Sequence, residues 1–181
     1  MIKPEDHQVI LYRENYSQKF WNEYYSMVLV DLVNYKTYKN DLLKVLLLLN
    51  DQLPDWDQRP KEFDEIVKRF NSESKCLLFY YKGQCIGWNW FNEKVRFDWV
   101  TIDKDLPEDC IYAGGCYVSN KVDRPPDAGV INYNMWVKHC LDLGYNTIYG
   151  YCDSWNRNAV RVNVINGFVL EDWYGHITLL R

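Results

Sequence analysis

The 181-residue sequence has no run of basic residues, and 21 Lys+Arg against 25 Asp+Glu leave a net charge of −4. Surfaces that follow nucleic-acid phosphates need clustered Lys and Arg, so nucleic acid is excluded as an expected partner. Long apolar stretches are also missing. The longest, residues 45–49, is far shorter than the ~20 residues of a membrane span. The opening MIKPEDHQVILYREN has no apolar segment long enough for a signal peptide. The expectation is a cytoplasmic protein without membrane contact. The six cysteines (Cys76, Cys85, Cys110, Cys116, Cys140 and Cys152) include no Cys-x-x-Cys pair, and His7, His139 and His176 are isolated. Metal sites need ligands at short spacing, so no metal is expected. The thiols read as free, buried small hydrophobes in a reducing compartment. With no internal repeat and no low-complexity segment, residues 1–181 read as one domain.

Aromatic residues, by contrast, are abundant: 17% of the chain, with eight Trp and fifteen Tyr. They imply a thick aromatic core with some rings left to face a ligand groove. Residues 8–12, QVILY, read as a short strand. Phe20, Tyr24, Met27, Val28, Leu32 and Tyr35 recur at helical steps and predict a helix. Residues 42–49 predict a second helix, almost wholly apolar and therefore buried. A third starts near Pro60, with Phe63, Ile66, Val67 and Phe70 as its apolar stripe.

After residue 74 the pattern turns to strands. Residues 76–81 and 84–91 flank Lys82-Gly83 as a hairpin. Further strands are expected near 95–102 and over 111–118. A helix follows from Gly129 to Leu143, closed by Gly144, then a strand over 147–152. Residues 168–173 and 176–180 read as a last hairpin. An antiparallel meander joined to a β-α-β crossover predicts a mixed α/β fold: a mostly antiparallel sheet of six to seven strands with helices on both faces. On pattern alone the β-branched segment 158–165, NAVRVNVI, reads as a strand.

The block 110–168 resembles the acetyl-CoA-binding half of the GNAT superfamily of N-acyltransferases. A strand runs into Arg124-Pro-Pro-Asp-Ala-Gly129, similar to the family's Gln/Arg-x-x-Gly-x-Gly/Ala loop, with Asp127 in place of the first glycine. A helix of the family's usual length follows. Then Asn156-x-x-Ala159, Val160-Arg161-Val162 and Asn166-Gly167-Phe168 resemble the family's helical signature, which reverses the pattern-based reading and makes 157–165 a helix. The resemblance covers 75–181 as a CoA-binding part. It leaves 1–74 as a helical, acceptor-shaping part.

The resemblance implies transfer of an acetyl or other short acyl group from acetyl-CoA to a primary amine of a small molecule, an amino sugar being one candidate. It leaves a homodimer open. The pyrophosphate would sit at Arg124, Asp127, Ala128, Gly129 and Val130, where backbone N–H groups and a helix N-terminus favour anions. The pantetheine arm would lie along the backbone of Cys116, Tyr117 and Val118, with Asn156 bonding its amides and Ala159 beside it. Pro125 and Pro126 lack N–H donors. Asn163 stands where the family usually carries the Tyr that protonates the leaving thiolate, and an amide cannot act as an acid; on the residues alone Asn163 is equally a polar residue of an exposed helix face. For the general base, Asp153 is a candidate as well as a helix-capping residue. Glu108 and Asp109 read as solvated loop charges, and His176 as a base or a structural residue. Tyr112 and Tyr151 read as acceptor-pocket or core residues. Two alternatives accompany this reading: an acyl-carrier-protein donor, which presents pantetheine without a nucleotide, and a non-catalytic binding module of the same fold.

Overall fold

The computed structural model describes residues 24–52, 60–92, 110–145, 147–150 and 157–165. In these, five strands form one sheet in the order β1-β2-β3-β4-β5. The strands are β1 (Tyr25–Val30), β2 (Lys75–Tyr81), β3 (Gln84–Asn92), β4 (Cys110–Val118) and β5 (Thr147–Gly150). The helices are α1 (Lys39–Gln52), α2 (Phe63–Asn71), α3 (Ala128–Asp142) and α4 (Arg157–Ile165). Strands β1 to β4 pair antiparallel, and β4 pairs with β5 in parallel. The expected strands at 8–12 and 95–102 and the hairpin after 168 lie outside the described residues.

Alternation along the strands divides the core into two layers. Val28 and Val30 of β1, Cys76, Leu78 and Tyr80 of β2, and Trp88 and Trp90 of β3 face α1 and α2, where Leu42, Val45, Leu46, Leu49, Ile66 and Phe70 meet them. Met27, Leu29, Leu77, Phe79 and Phe91 face α3, against Ala128, Ile131, Trp136, Val137 and Cys140. The sheet is thus covered on both faces, as a mixed sheet requires.

The expected helix through Phe20–Tyr35 is corrected. Tyr25–Val30 forms β1, the first strand of the described sheet, paired from Tyr25↔Tyr81 to Val30↔Cys76. The i, i+3 stripe was real, but YSMVLV is also β-branched and alternates. Pairing with β2 supplies the backbone partners that decide between the two. The turn ends are as expected. Lys82 (φ 48°) and Gly83 (φ 76°) both take the left-handed backbone of a type I′ hairpin. Gly144 (φ 91°) ends α3 in a Schellman motif, with Gly144 N–H bonded to Leu141 O (2.9 Å) and Tyr145 N–H to Cys140 O (3.1 Å). Segment 157–165 is a helix.

Candidate functional site

Strand β4 carries the decisive irregularity. Among the described residues it pairs with β5 from Cys110↔Thr147 to Ala113↔Gly150, and it runs on to Val118. At the same point its register with β3 slips: Trp90 faces Gly115 and Phe91 faces Ala113, so Gly114 is an extra residue. Such a bulge reverses the side to which the following side chains point. Before it, Ile111 and Ala113 pack toward α3. After it, Cys116 and Val118 do so, and Tyr117 turns to the α1/α2 face. Gly115 (φ 134°) adopts backbone that L side chains rarely take. Gly87 of β3 lies so close to β4 that a Cβ there would strike the Tyr117 carbonyl oxygen. Ser119 N–H bonds Ile86 O at 2.9 Å. By strand alternation Cys116 and Val118 therefore turn their backbone N–H and C=O groups away from β3.

Beyond β4, the loop into α3 is held by its own charged residue. Arg124 Nε donates to Ser119 O, and its Nη1 donates to Pro125 O at 3.0 Å. The guanidinium thus closes the loop, a use the sequence did not suggest. Lys121 Nζ pairs with the Asp51 carboxylate at the end of α1. Asp127 is the N-cap residue, but its side chain makes no capping bond. The Ala128 N–H is taken by Pro125 O at 3.1 Å. Among first-turn amides of α3, Gly129 and Val130 therefore keep donors that the helix itself cannot use. A Cβ on Gly129 would meet nothing within 4 Å.

Where β4, α3 and α4 converge, five polar side chains form one cluster. Asn89 and Asn132 exchange two amide bonds (2.8 and 2.9 Å), both residues being essentially inaccessible. The Cys116 thiol donates to Asn89 Oδ1 at 2.7 Å. The Tyr133 hydroxyl donates to Asn163 Oδ1 at 2.6 Å and lies beside the Cys116 thiol. Cys116 is exposed as a residue, correcting the expectation of a buried one, while its thiol turns inward to Asn89. Burial pushes that thiol's pKa well up, opposed weakly by Tyr133. Cys76, Cys85, Cys110 and Cys140 are buried and free, as expected.

Of the anticipated site residues, Cys116, Tyr117, Val118, Arg124, Asp127, Ala128, Gly129 and Val130 lie along one strand–loop–helix path. Ala159 and Asn163 lie on α4, and Asn163 is half-buried against Tyr133 rather than free in solvent. Tyr112 is 6% exposed, between Asn92 and Tyr149 in the sheet, which makes it a core residue. Glu108, Asp109, Tyr151, Asp153, Asn156 and His176 lie outside the described residues. Asn89, Asn132 and Tyr133 were missed. Their signal was an amide inside an apolar strand (Trp88-Asn89-Trp90) and another inside an apolar helix.

The fold as a whole superimposes on a group of solved structures. One is an aminoglycoside acetyltransferase from an uncultured soil metagenomic sample, solved with sisomicin. It superimposes with TM-score 0.60 at 9% identity, over 88% of this chain and 98% of that one. The fold is that of the GNAT acyltransferases. A second GNAT structure is the Salmonella typhimurium acetyl transferase that modifies the N-terminal serine of 50S ribosomal subunit protein L7/L12 (TM-score 0.58, 14% identity, 82% of this chain and 83% of that one). A third, AAC(6')-Iy with a CoA-based bisubstrate analogue, gives TM-score 0.54 at 16% identity, over 86% and 99% of the two chains. No protein-family model matches the sequence, and no curated protein matches it. The GNAT likeness thus rests on architecture. Among the described residues, no helix is long and apolar enough to cross a membrane.

Proposed function

We propose that the chain is an N-acetyltransferase that moves an acetyl group from acetyl-CoA to a primary amine of a small molecule, an amino sugar being the first class to test. The observation that carries this reading is the bulge of β4 at Gly114, which leads through a short loop to an α3 N-terminus where the Gly129 and Val130 amides are not used by the helix itself. In this reading the Gly129 and Val130 N–H groups hold the pyrophosphate, helped by the helix dipole. The pantetheine amides pair with the outward groups of Cys116 and Val118, as an added strand would, and Asn156 bonds them from the far side. A backbone N–H near Cys116–Val118 stabilises the developing oxyanion. Asp153 or His176 removes the amine proton. The part 75–181 binds the donor, and 1–74 shapes the acceptor pocket.

Thermal unfolding with CoA tests this. A ligand at ~100 times its Kd adds roughly 2.7 kcal/mol, a rise of several degrees for a domain of this size. An unchanged melting temperature at millimolar CoA rejects it. A specific observation favours one second reading, an acyl-carrier-protein donor: Pro125 and Pro126 offer no N–H, and Ala128 N–H and two Arg124 donors are spent on the loop itself. Under that reading pantetheine stabilises the protein as much as CoA does.

A further inference from the structure

Helix α1 is pinned at both ends. Near its start the Tyr80 hydroxyl donates to Asp41 Oδ2 at 2.8 Å. At its end Lys121 Nζ pairs with the Asp51 carboxylate and lies 3.4 Å from the Asp51 carbonyl oxygen. The last four carbonyls of an α-helix have no partner within the helix, and the helix dipole makes that end negative. Helix α1 has no basic residue in its own last turn, and the Asp51 carboxylate adds to the negative charge there. Lys121, from the loop after β4, supplies both the cation and the donor that this end lacks.

The loop that carries Lys121 is itself tightly held. Ser119 is fully buried. Its N–H donates to Ile86 O of β3 at 2.9 Å, its Oγ accepts the Lys121 N–H at 3.1 Å, and its carbonyl accepts Arg124 Nε. Tyr117, turned to this face by the Gly114 bulge, packs against the core cluster that holds Leu46 and Leu49 of α1, and its phenol lies beside Ser119. The end of α1 and the loop that leads into α3 therefore meet in one joint, with Lys121 as the side chain that crosses it.

We propose that Lys121 is a positioning residue that caps α1 from outside the helix, and that the order of the 119–124 loop and the order of the α1 end are coupled through it. Where acetyl-CoA lies against that loop and the α3 N-terminus, the same joint carries donor binding into residues 1–74, the acceptor-shaping part. That last step rests on the acetyl-transfer reading above, and the cap does not. A cap differs from a plain surface ion pair in one respect. Removing the lysine leaves Asp51 facing the negative end of its own helix, whereas removing the carboxylate relieves that repulsion and keeps the lysine beside the carbonyl. The two single substitutions should therefore have unequal effects.

Amide hydrogen exchange on the full chain tests this, with wild type, Lys121→Met, Asp51→Asn and the reversal Asp51→Lys/Lys121→Asp, each free and with millimolar CoA. Exchange at a helix end reports local opening. In the free protein Lys121→Met should speed exchange over residues 47–52 roughly three- to tenfold, and over 119–124 as well. Asp51→Asn should speed it by less, and the reversal should return it toward wild type. Molar salt, which screens exposed charges, should speed exchange at the α1 end of wild type and leave Lys121→Met unaltered. Equal effects of the two single substitutions overturn the cap. Faster exchange at 47–52 with 119–124 unmoved overturns the coupling. If Lys121→Met does not fold, a wild type whose α1 end is indifferent to salt overturns the cap. With CoA, wild type should gain protection at both 119–130 and 47–52, and Lys121→Met should gain it at 119–130 alone. Protection of wild type confined to 119–130 overturns the link to donor binding. CoA that protects nothing and leaves the melting temperature unchanged overturns the acetyl-CoA reading together with that link, and the cap then stands or falls on the free-protein comparison.

Discussion

Asn89 decides more than its place in a strand suggests. It accepts two bonds on Oδ1, from Asn132 Nδ2 and Cys116 Sγ, and donates Nδ2 to Asn132 Oδ1. Buried amides are tolerated only when paired, because an orphaned buried donor or acceptor costs its desolvation. The pair therefore fixes how α3 sits over β3 and β4, and with it where Tyr133 reaches. Asn89→Leu should destabilise by about 1–3 kcal/mol, because Asn132 and the Cys116 thiol lose their partner in a dry site. Asn89→Leu/Asn132→Leu should recover a substantial part, since removing both partners leaves nothing unsatisfied. Urea unfolding of the two variants decides it: equal stability losses would mean that the amide pair is not what holds the interface.

At the scale of elements, the site depends on where strands bend and helices begin. Strand β4 bulges at Gly114, and α3 begins after two prolines. The end of α3 is as closely specified as its start. Gly144 at φ 91° lets two carbonyls of the last turn find N–H partners, and Tyr145 then packs against the core cluster that holds Trp136, Val137 and Cys140. That C-terminal turn aims the chain into β5. An L side chain at such a φ costs roughly 1–2 kcal/mol, so Gly144→Ala should lower the melting temperature by a few degrees. Differential scanning calorimetry on the variant checks this, and an unchanged transition would show that the turn relaxes without strain.

For the molecule as a whole, the buried thiols make a pH signature. Burial pushes Cys85 and Cys140 from 9.0 to about 12. Their raised folded values mean that the unfolded chain releases these protons first, from about pH 9 upward. The folded chain then holds more protons, so stability is present below pH 9 and falls as pH rises toward 12. The slope is up to about 1.4 kcal/mol per pH unit per thiol. Urea midpoints between pH 8 and 11 measure it. Cys85→Ala/Cys140→Ala should flatten the slope, and an unaltered slope would assign the loss to other groups.

The sequence by itself determined the local pieces. The α2 stripe of Ile66 and Phe70, the Lys82-Gly83 turn, the Gly144 cap and the extent of α3 follow from periodicity and backbone freedom within a few residues. The order Arg124–Gly129, Asn156, Ala159, Gly167-Phe168 was legible too, and it turned the β-branched segment 157–165 into a helix against its propensity. Only the tertiary structure decided the rest. Tyr25–Val30 became a strand because β2 offered a partner along its whole length. Cys116 faces inward because Gly114 shifts the alternation by one, and a bulge is a property of two paired strands rather than of one. Arg124 closes its own loop because Ser119 O and Pro125 O converge on it. Tyr133 meets Asn163 because two helices thirty residues apart in sequence pack against each other. Contacts of that kind depend on distances between elements, and no periodicity within a single element encodes them.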